Sequence, residues 1–272
     1  MGITGQGAHQ PEGDLVAMVT GATGAIGNAI ARQLAAQPGF VVVLACRDPE
    51  KGKGALREII RSTGNPRVWL EIVDVSRRRS IQGLVERWQG PLHILINNAG
   101  TTPRHRQETP DGIELQFATN VLGYFWMIET FQPILKACAP ARIVNVASYW
   151  AGDLDLSDLE FRRRRYSNGE AYRQSKQADR MLTVAFAERL KGSGVTVNAC
   201  HPGDVSSVLS NNLGFGGHGT PDDAARTPVW LAVDPKGEQR SGQFFEGMKQ
   251  VPCPFASDHK AIEALFAACQ AY

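Results

Sequence analysis

Tyrosine and lysine side chains four residues apart, at Tyr172 and Lys176, are the first feature of this sequence that could do acid–base chemistry. Residues at this spacing project from the same face of an α-helix. A phenol with a pKa of about 10 is a poor base at neutral pH, but a neighbouring ammonium favours the phenolate and lowers that pKa. The pair can therefore move a proton to or from a substrate oxygen. Because such a pair also arises by chance, its neighbours must decide whether it is a site.

The elements that would position this pair follow from the apolar pattern. Six short segments rich in β-branched residues are predicted to be strands, at 15–20, 40–46, 68–73, 92–97, 142–147 and 195–200. Most are apolar at successive positions, which indicates burial on both faces of a parallel sheet. Helical patterns separate them, including 28–36, a segment from the predicted N-cap Asp48 to the stop at Gly64, and 170–191. The fold class is therefore α/β, a single Rossmann-like domain over 14–272 with a doubly wound parallel sheet.

A glycine-rich turn joins the first predicted strand to the helical pattern that follows it. Glycines at such a junction allow a tight turn and let the backbone approach a pyrophosphate, which the helix N-terminus attracts. A purely structural turn is the alternative. If the turn binds a dinucleotide, the contacts should come from Gly21, Thr23, Gly24, Ala25, Ile26 and Gly27.

The end of the second predicted strand bears on the choice of dinucleotide. NAD sites usually carry an acidic residue there, which bonds the ribose 2′-hydroxyl. This chain has Arg47 instead, whose guanidinium can pair with a 2′-phosphate. Asp48 could serve as the ribose ligand, but its place before Pro49 suits an N-cap better. The sequence therefore favours NADP(H) as the cofactor.

The ordered motifs resemble the short-chain dehydrogenase/reductase family over almost the whole chain from Leu15 onwards. They are the turn from Thr20 to Gly27, Asn97-Asn98-Ala99-Gly100, Asn120, Ser148, Tyr172-x-x-x-Lys176 and His201-Pro202-Gly203. The resemblance implies four catalytic residues: Asn120, Ser148, Tyr172 and Lys176. It gives Tyr172 the proton transfer, Ser148 a hydrogen bond to the substrate oxygen, and Lys176 the nicotinamide ribose, while Asn120 would support a chain of waters leading out past Lys176.

The resemblance also implies further cofactor contacts, each with a structural alternative. Asp74 would border the adenine or simply cap the next turn, Asn97 would line the middle of the cofactor or tie adjacent strands together, and Ser207 stands where many relatives carry threonine. The full set of these further contacts is Asp74, Val75, Asn97, Ala99, Gly100, Pro202, Gly203, Val205 and Ser207.

An insertion at about 152–169, between Ser148 and Tyr172, is similar to the retinol dehydrogenase and protochlorophyllide reductase-like branch of the family. That branch tends to act on bulky lipophilic alcohols and carbonyls, so the insertion should border the site entrance. Tyr149 and Trp150 would touch a flat substrate or pack in the core. The run Arg162 to Arg165 would attract an anion or form a solvated surface. The glycine-rich segment at about 208–225 would be a lid or a plain loop.

Two other functions remain open at this stage. One is a non-catalytic NADP(H)-binding sensor or scaffold, although such proteins often lose the tyrosine or the lysine. The other is a nucleotide-sugar epimerase or dehydratase, since the glycine at Gly24 rather than at Ala25 resembles the spacing of that branch. That branch normally has a larger C-terminal region than 272 residues permit.

Composition limits the partners. The 29 basic and 27 acidic residues nearly balance, which argues against nucleic acid as a partner, and no apolar run is long enough for stable membrane insertion. Five scattered cysteines indicate neither a disulfide framework nor a metal site. We expect a cytoplasmic protein with a disordered leader over 1–13. A homodimer is possible, because family members often pair through the helices bearing Asn120 and Tyr172, but the insertion could block that surface.

Overall fold

A computed structural model describes residues 14–235 and 240–272 of the chain, so the leader predicted at 1–13 lies outside the described residues. The strands are β1 Leu15–Thr20, β2 Phe40–Cys46, β3 Val68–Ile72, β4 Ile94–Asn97, β5 Ala141–Val146, β6 Val195–His201, β7 Phe244–Glu246 and β8 Lys249–Val251. The α-helices are α1 Ala25–Ala35, α2 Pro49–Thr63, α3 Arg78–Arg87, α4 Gly123–Ala137, α5 Asn168–Arg189, α6 Val208–Asn212, α7 Pro221–Val233 and α8 His259–Gln270, and a π-helix Phe117–Leu122 runs into α4.

The strands form one sheet in the order β3-β2-β1-β4-β5-β6-β7-β8. All neighbouring strands are parallel except the pair β7 and β8. Every residue of β2 is buried, as expected for a strand covered on both faces. The predicted fold class, a doubly wound Rossmann-like sheet, is confirmed. The strand order reverses between β1 and β4, which is where such sheets open a crevice at the carboxyl ends of their strands.

Helices cover both faces of the sheet. On one face α1, α2 and α7 bury residues such as Ile30, Ile59 and Val229 against the strands. On the other face α3, α4, α5 and α8 build the larger core, with residues such as Phe125 and Phe186. These two cores hold the carboxyl ends of the strands in fixed relative positions, so side chains that follow the strands can form a defined site.

Local capping explains where the key helices begin and end. The Asp48 carboxylate accepts hydrogen bonds from the backbone N–H groups of Glu50 and Lys51, and Gly64 ends α2 in the left-handed conformation at φ 72°, both as predicted. Ser167 caps α5 through the N–H of Glu170. Helix α5 therefore begins and ends two residues before the predicted bounds of 170–191.

The C-terminal helix α8 packs on α4 and α5. The ring of Phe266 lies 5.0 Å from that of Phe125 and 5.2 Å from that of Phe186, centroid to centroid. Part of the helical surface considered above for pairing between subunits is therefore covered by a helix of the same chain. Among the described residues, no helix combines the length and the hydropathy needed to cross a membrane.

Candidate active site

A cleft of about 860 Å³ opens along the carboxyl ends of the strands. Its wall contains every predicted site residue except Asn97 and Asn120, namely Gly21, Thr23, Gly24, Ala25, Ile26, Gly27, Arg47, Asp74, Val75, Ala99, Gly100, Ser148, Tyr149, Trp150, Tyr172, Lys176, Pro202, Gly203, Val205 and Ser207. It also contains residues that sequence reasoning missed, among them Asn98, Thr101, Gln107, His201, Asp204 and Phe215.

The turn after β1 forms one end of the cleft and is packed too tightly for side chains. Gly21 has a φ of +66°, and a Cβ added there would lie 2.8 Å from the Cα of Ala99. A Cβ on Gly27 would lie 2.4 Å from the carbonyl oxygen of Gly21. At Gly24, by contrast, a Cβ would keep an ordinary 3.4 Å from that oxygen. The turn therefore brings the N-terminus of α1 to the cleft as a dinucleotide pyrophosphate requires, and the glycine at position 24 is not needed for packing.

Arg47 follows β2 and is exposed in the cleft wall. Its guanidinium makes no hydrogen bond or ion pair with other described residues, and so it is available to an anionic group. The adjacent Asp48 carboxylate is engaged by the N-terminus of α2, which holds its pKa below its usual value. The residues at this strand end fit a phosphorylated ribose better than a free 2′-hydroxyl.

Asn97, at the end of β4, does not line the cleft as expected. Asn97 is fully buried and donates from Nδ2 to Oδ1 of Asn145 on β5 at 3.0 Å, so it ties the two strands together and does not reach the cleft. Its neighbour Asn98 lines the cleft instead and donates to the carbonyl oxygen of Thr20 at 2.9 Å. Consecutive residues of a strand point to opposite sides, which explains the exchange. The structural alternative also holds in part for Asp74, whose carboxylate accepts hydrogen bonds from Ser76.

Tyr172 and Lys176 lie on the first half of α5, and both are buried within the cleft wall. The Lys176 ammonium lies 5.9 Å from the centre of the Tyr172 ring. It donates to the carbonyl oxygen of Val146 at 3.0 Å and to Oδ2 of Asp179 at 2.8 Å. Ser148, just beyond β5, is also buried there and contacts the Tyr172 hydroxyl by a side-chain hydrogen bond. The three predicted groups are therefore brought together.

Opposing effects act on the pKa of the Tyr172 hydroxyl. Burial raises the pKa of its hydroxyl, whereas the Lys176 ammonium and the hydrogen bond with Ser148 lower it. The net direction is upward from 10, so the hydroxyl is protonated at neutral pH. Burial is the largest single effect on the Lys176 pKa and lowers it, but Asp179, Tyr124 and Tyr172 together raise it by more, so Lys176 is held as an ammonium.

Asn120 lies in the π-helix, outside the cleft wall. Its Oδ1 accepts from the backbone N–H of Thr101 at 2.8 Å, and its Nδ2 donates to the carbonyl oxygen of Thr101 and to Oγ of Ser175. The side chain thus fastens the segment after β4 to α5. The role of Asn120 in a water chain past Lys176 stays a prediction.

Aromatic residues dominate the other end of the cleft. Trp150 packs against Tyr172 with ring centroids 5.9 Å apart, and Phe215 packs edge to face on Trp150. Tyr149 is half-exposed, stacks edge to face on His201 at 4.6 Å and reaches the Asp204 carboxylate at 3.4 Å. Tyr149 and Trp150 are therefore in the wall of the cleft rather than in the core. The segment predicted as a lid supplies Phe215 and contains α6 and the start of α7.

The insertion at 152–169 is organised around one carboxylate. Asp158 accepts backbone N–H groups of Arg162, Arg163 and Arg164, which outweigh the effect of burial and lower its pKa to about 2. The side chain of Arg162 pairs with Glu160. None of the four arginines from Arg162 to Arg165 is in the cleft wall, so the run does not line the path of a ligand within the cleft.

Comparisons with known proteins agree with this geometry. The family model described as short chain dehydrogenase matches residues 15–214. Retinol dehydrogenase 13 of Mus musculus is 37% identical over 270 residues, covering 92% of this chain and 80% of its own length. A crystal structure of an uncharacterized protein from Mycobacterium paratuberculosis superposes with a TM-score of 0.80 at 28% identity, covering 98% of this chain and 97% of that one. A variant of actinorhodin polyketide ketoreductase solved with NADPH gives a TM-score of 0.65 at 25% identity, covering 85% and 95%. The chain belongs to the short-chain dehydrogenase family of oxidoreductases and is related to the retinol dehydrogenases.

Proposed function

We propose that this protein is an NADP(H)-dependent oxidoreductase that reduces a carbonyl group, or oxidises the corresponding alcohol, on a bulky lipophilic small molecule. The observation that carries the proposal is the buried grouping of Tyr172, Ser148 and Lys176 in the wall of a cleft that also contains the glycine turn after β1. This arrangement supports a proton donor and a dinucleotide sharing one cavity.

The residues present fit a nicotinamide dinucleotide. The turn at Gly21 and Gly27 is packed so closely that neither position can carry a Cβ without moving backbone, and this packing places the N-terminus of α1 where it can bind a pyrophosphate. Arg47 supports the phosphorylated form, since its guanidinium lies in the cleft wall and makes no hydrogen bond with other described residues, while the neighbouring Asp48 carboxylate caps α2. The ketoreductase relative solved with NADPH supports the same choice. When bound, the cofactor supplies or accepts the hydride.

Tyr172 supplies the matching proton. During reduction its O–H bond breaks, and the proton bonds to the carbonyl oxygen of the substrate. The resulting phenolate is stabilised by the Lys176 ammonium and by the hydrogen bond with Ser148, and it regains a proton from solvent. Oxidation of an alcohol follows the same path in reverse, with the phenolate as the base.

The aromatic end of the cleft supports a bulky lipophilic substrate. Tyr149 and Phe215 expose 51% and 37% of their surface, and Val208 exposes 79%, so apolar surface is available there without opening the core. Such a wall binds a substrate mainly by excluding water from apolar area. The name of the relative retinol dehydrogenase 13 supports the same class of substrate.

Replacing Tyr172 by Phe tests the proposal. The Tyr172→Phe variant should lose carbonyl reduction by several orders of magnitude, because the proton donor is gone, and should keep NADPH affinity within a few-fold. NADPH absorbance follows turnover across a panel of aromatic and aliphatic carbonyls, and NADPH fluorescence follows binding. An unchanged rate in the variant would refute the role of Tyr172. NADPH binding without turnover of any carbonyl or alcohol by the wild-type protein would indicate a sensor instead.

A further inference from the structure

Asp179 forms a buried ion pair with the lysine of the active site. It follows Lys176 by three residues on α5, and the two side chains retain 0% and 4% of their exposed surface. The Oδ2 atom accepts from the Lys176 ammonium at 2.8 Å, and Oδ1 has no hydrogen-bond partner among the described residues. A buried carboxylate is destabilising in its charged form unless it is paired. Because only one oxygen of Asp179 has a partner, the Lys176 ammonium is what stabilises the charged carboxylate.

Counting charges shows what Asp179 does to the site. Tyr172, Lys176 and Asp179 share one buried region, where solvent screens charges poorly. With the tyrosine protonated, the ammonium and the carboxylate cancel. Loss of the phenolic proton then leaves a net negative charge in this poorly screened region. If residue 179 were neutral, the same loss would convert a net positive charge into none.

The groups around the ion pair do not change this count. Tyr124 on α4 lies with its ring centre 5.1 Å from the ammonium, and burial raises the pKa of its hydroxyl. Burial likewise raises the pKa of the thiols of Cys200 on β6 and Cys269 on α8. All three are therefore neutral at physiological pH.

One further acid acts on Tyr172 from outside the ion pair. The Asp204 carboxylate, in the loop after β6, adds to the rise in the pKa of the Tyr172 hydroxyl. It is partly exposed, so solvent screens it more than it screens Asp179. Burial raises the pKa of Asp179 and the Lys176 ammonium lowers it, with a net rise to about 6, so the carboxylate remains largely charged at neutral pH.

We propose that Asp179 is a positioning residue that holds the Lys176 ammonium against the carbonyl oxygen of Val146 and offsets its charge, so that Tyr172 stays in the protonated form that donates to a carbonyl. The inference rests on the proposed function for its catalytic meaning, while the effect on Tyr172 ionisation is a property of the protein alone. Carbonyl reduction then proceeds at neutral pH, and alcohol oxidation requires alkaline conditions.

The direct test is the ionisation of Tyr172 in the Asp179→Asn variant. Subtracting the ultraviolet titration of Tyr172→Phe from that of the wild-type protein isolates the Tyr172 phenolate, and the same subtraction is made in the Asp179→Asn background. We expect Tyr172 to ionise at a pH about one unit or more lower in Asp179→Asn than in the wild-type protein. The Asp179→Glu variant, which keeps the charge, should restore the wild-type value, and Glu170→Gln, at the exposed start of α5, should not move it. An unmoved or higher midpoint in Asp179→Asn would overturn the proposal.

Kinetics give a second readout. In Asp179→Asn, the pH range over which kcat/KM for alcohol oxidation increases should shift to lower pH by the same amount. The reason is that the Tyr172 proton then leaves a site of higher positive charge. The wild-type profile tests the idea even if a variant fails to fold: it should still be rising above neutral pH, and a profile already flat at pH 7 would contradict the proposal. If the wild-type protein showed no turnover, the proposed function would be wrong. The ultraviolet titration of Tyr172 would still test the role of Asp179.

Discussion

Trp150 and Phe215 lie edge to face in the wall of the cleft, with ring centroids 5.4 Å apart and ring planes at 80°. The contact joins the segment that follows β5 to the segment that follows α6, which are 65 residues apart in the sequence. This pair thus contributes to the shape of the apolar end of the cleft.

Replacing Trp150 by Ala should weaken the binding of large aromatic carbonyls. We expect KM for such substrates to rise about tenfold, since an aromatic contact contributes about 0.5–1.5 kcal/mol beyond the area it buries. KM for a small aliphatic carbonyl should change little. Trp69→Ala is the matched control, because Trp69 is 40% exposed on the edge strand β3, away from the cleft. Equal losses for large and small substrates would contradict this role.

Replacing Arg47 by Ser should reduce the preference for the phosphorylated cofactor. A hydrogen bond to a charged group contributes about 1.5–3 kcal/mol, so Kd for NADPH should rise roughly tenfold to a hundredfold while Kd for NADH stays nearly constant. Fluorescence titration with both cofactors measures the two constants. The exposed Arg57 on α2 provides the control variant Arg57→Ser, which should alter neither. A similar loss for both cofactors would place Arg47 elsewhere than at the 2′-phosphate.

Alanine at two helical glycines should have opposite effects. In Gly27→Ala the new methyl group would meet the Gly21 carbonyl oxygen at 2.4 Å, and we expect a loss of about 1–3 kcal/mol in unfolding free energy together with weaker NADPH binding. In Gly54→Ala the methyl group would meet nothing within 4 Å, and helix α2 should gain about 0.5–1 kcal/mol. Chemical denaturation of both variants measures the difference. Equal stability of the two would contradict the tight packing of the turn.

Glu114 should make stability depend on pH in the mildly acidic range. Its carboxylate accepts the backbone N–H groups of Gln116 and Phe117 at the start of the π-helix, yet burial outweighs these bonds and raises its pKa from 4.5 to about 7. The folded protein therefore binds more protons than the unfolded chain between these values, and the unfolding free energy should fall as pH rises from about 4.5 to 7 and then level off.

The Glu114→Gln variant isolates that contribution. The glutamine side chain is similar in size and does not titrate, so the difference in unfolding free energy between wild type and variant should change between pH 4.5 and 7 and stay constant above. Urea denaturation at a series of pH values measures it. A constant difference across the whole range would show that Glu114 titrates normally in the folded protein.

Strands and caps were predictable because short-range chemistry determines them. Strand β2 is apolar at every position, and its predicted bounds agree with the structure. The Asp48 cap and the Gly64 stop each depend on one residue and its immediate neighbours. Strands β7 and β8 were missed because three residues each are too few to show a period.

The site was predictable where a strand end fixes a residue and less so where long-range packing decides. Ser148 and Tyr172 lie in the cleft wall as expected. Asn97 was predicted there, but Asn98 lines the cleft instead, since the sequence does not show on which side of the sheet the last strand residue points. Asn120 lies in a π-helix, which leaves no pattern in the sequence. Phe215 joins the cleft only through its tertiary contact with Trp150.

The insertion is held by its own charges and by bonds to its neighbours. Asp158 binds the backbone of the arginine run, Glu160 pairs with Arg162, and Arg164 pairs with Asp155, all within the same inserted segment. The same segment is bonded to the helix that carries Tyr172, because Gln174 donates to the carbonyl oxygen of Leu159 and Arg173 pairs with Asp153. In an evolving lineage, a mutation that remodels this border therefore also acts on the helix that places the proton donor.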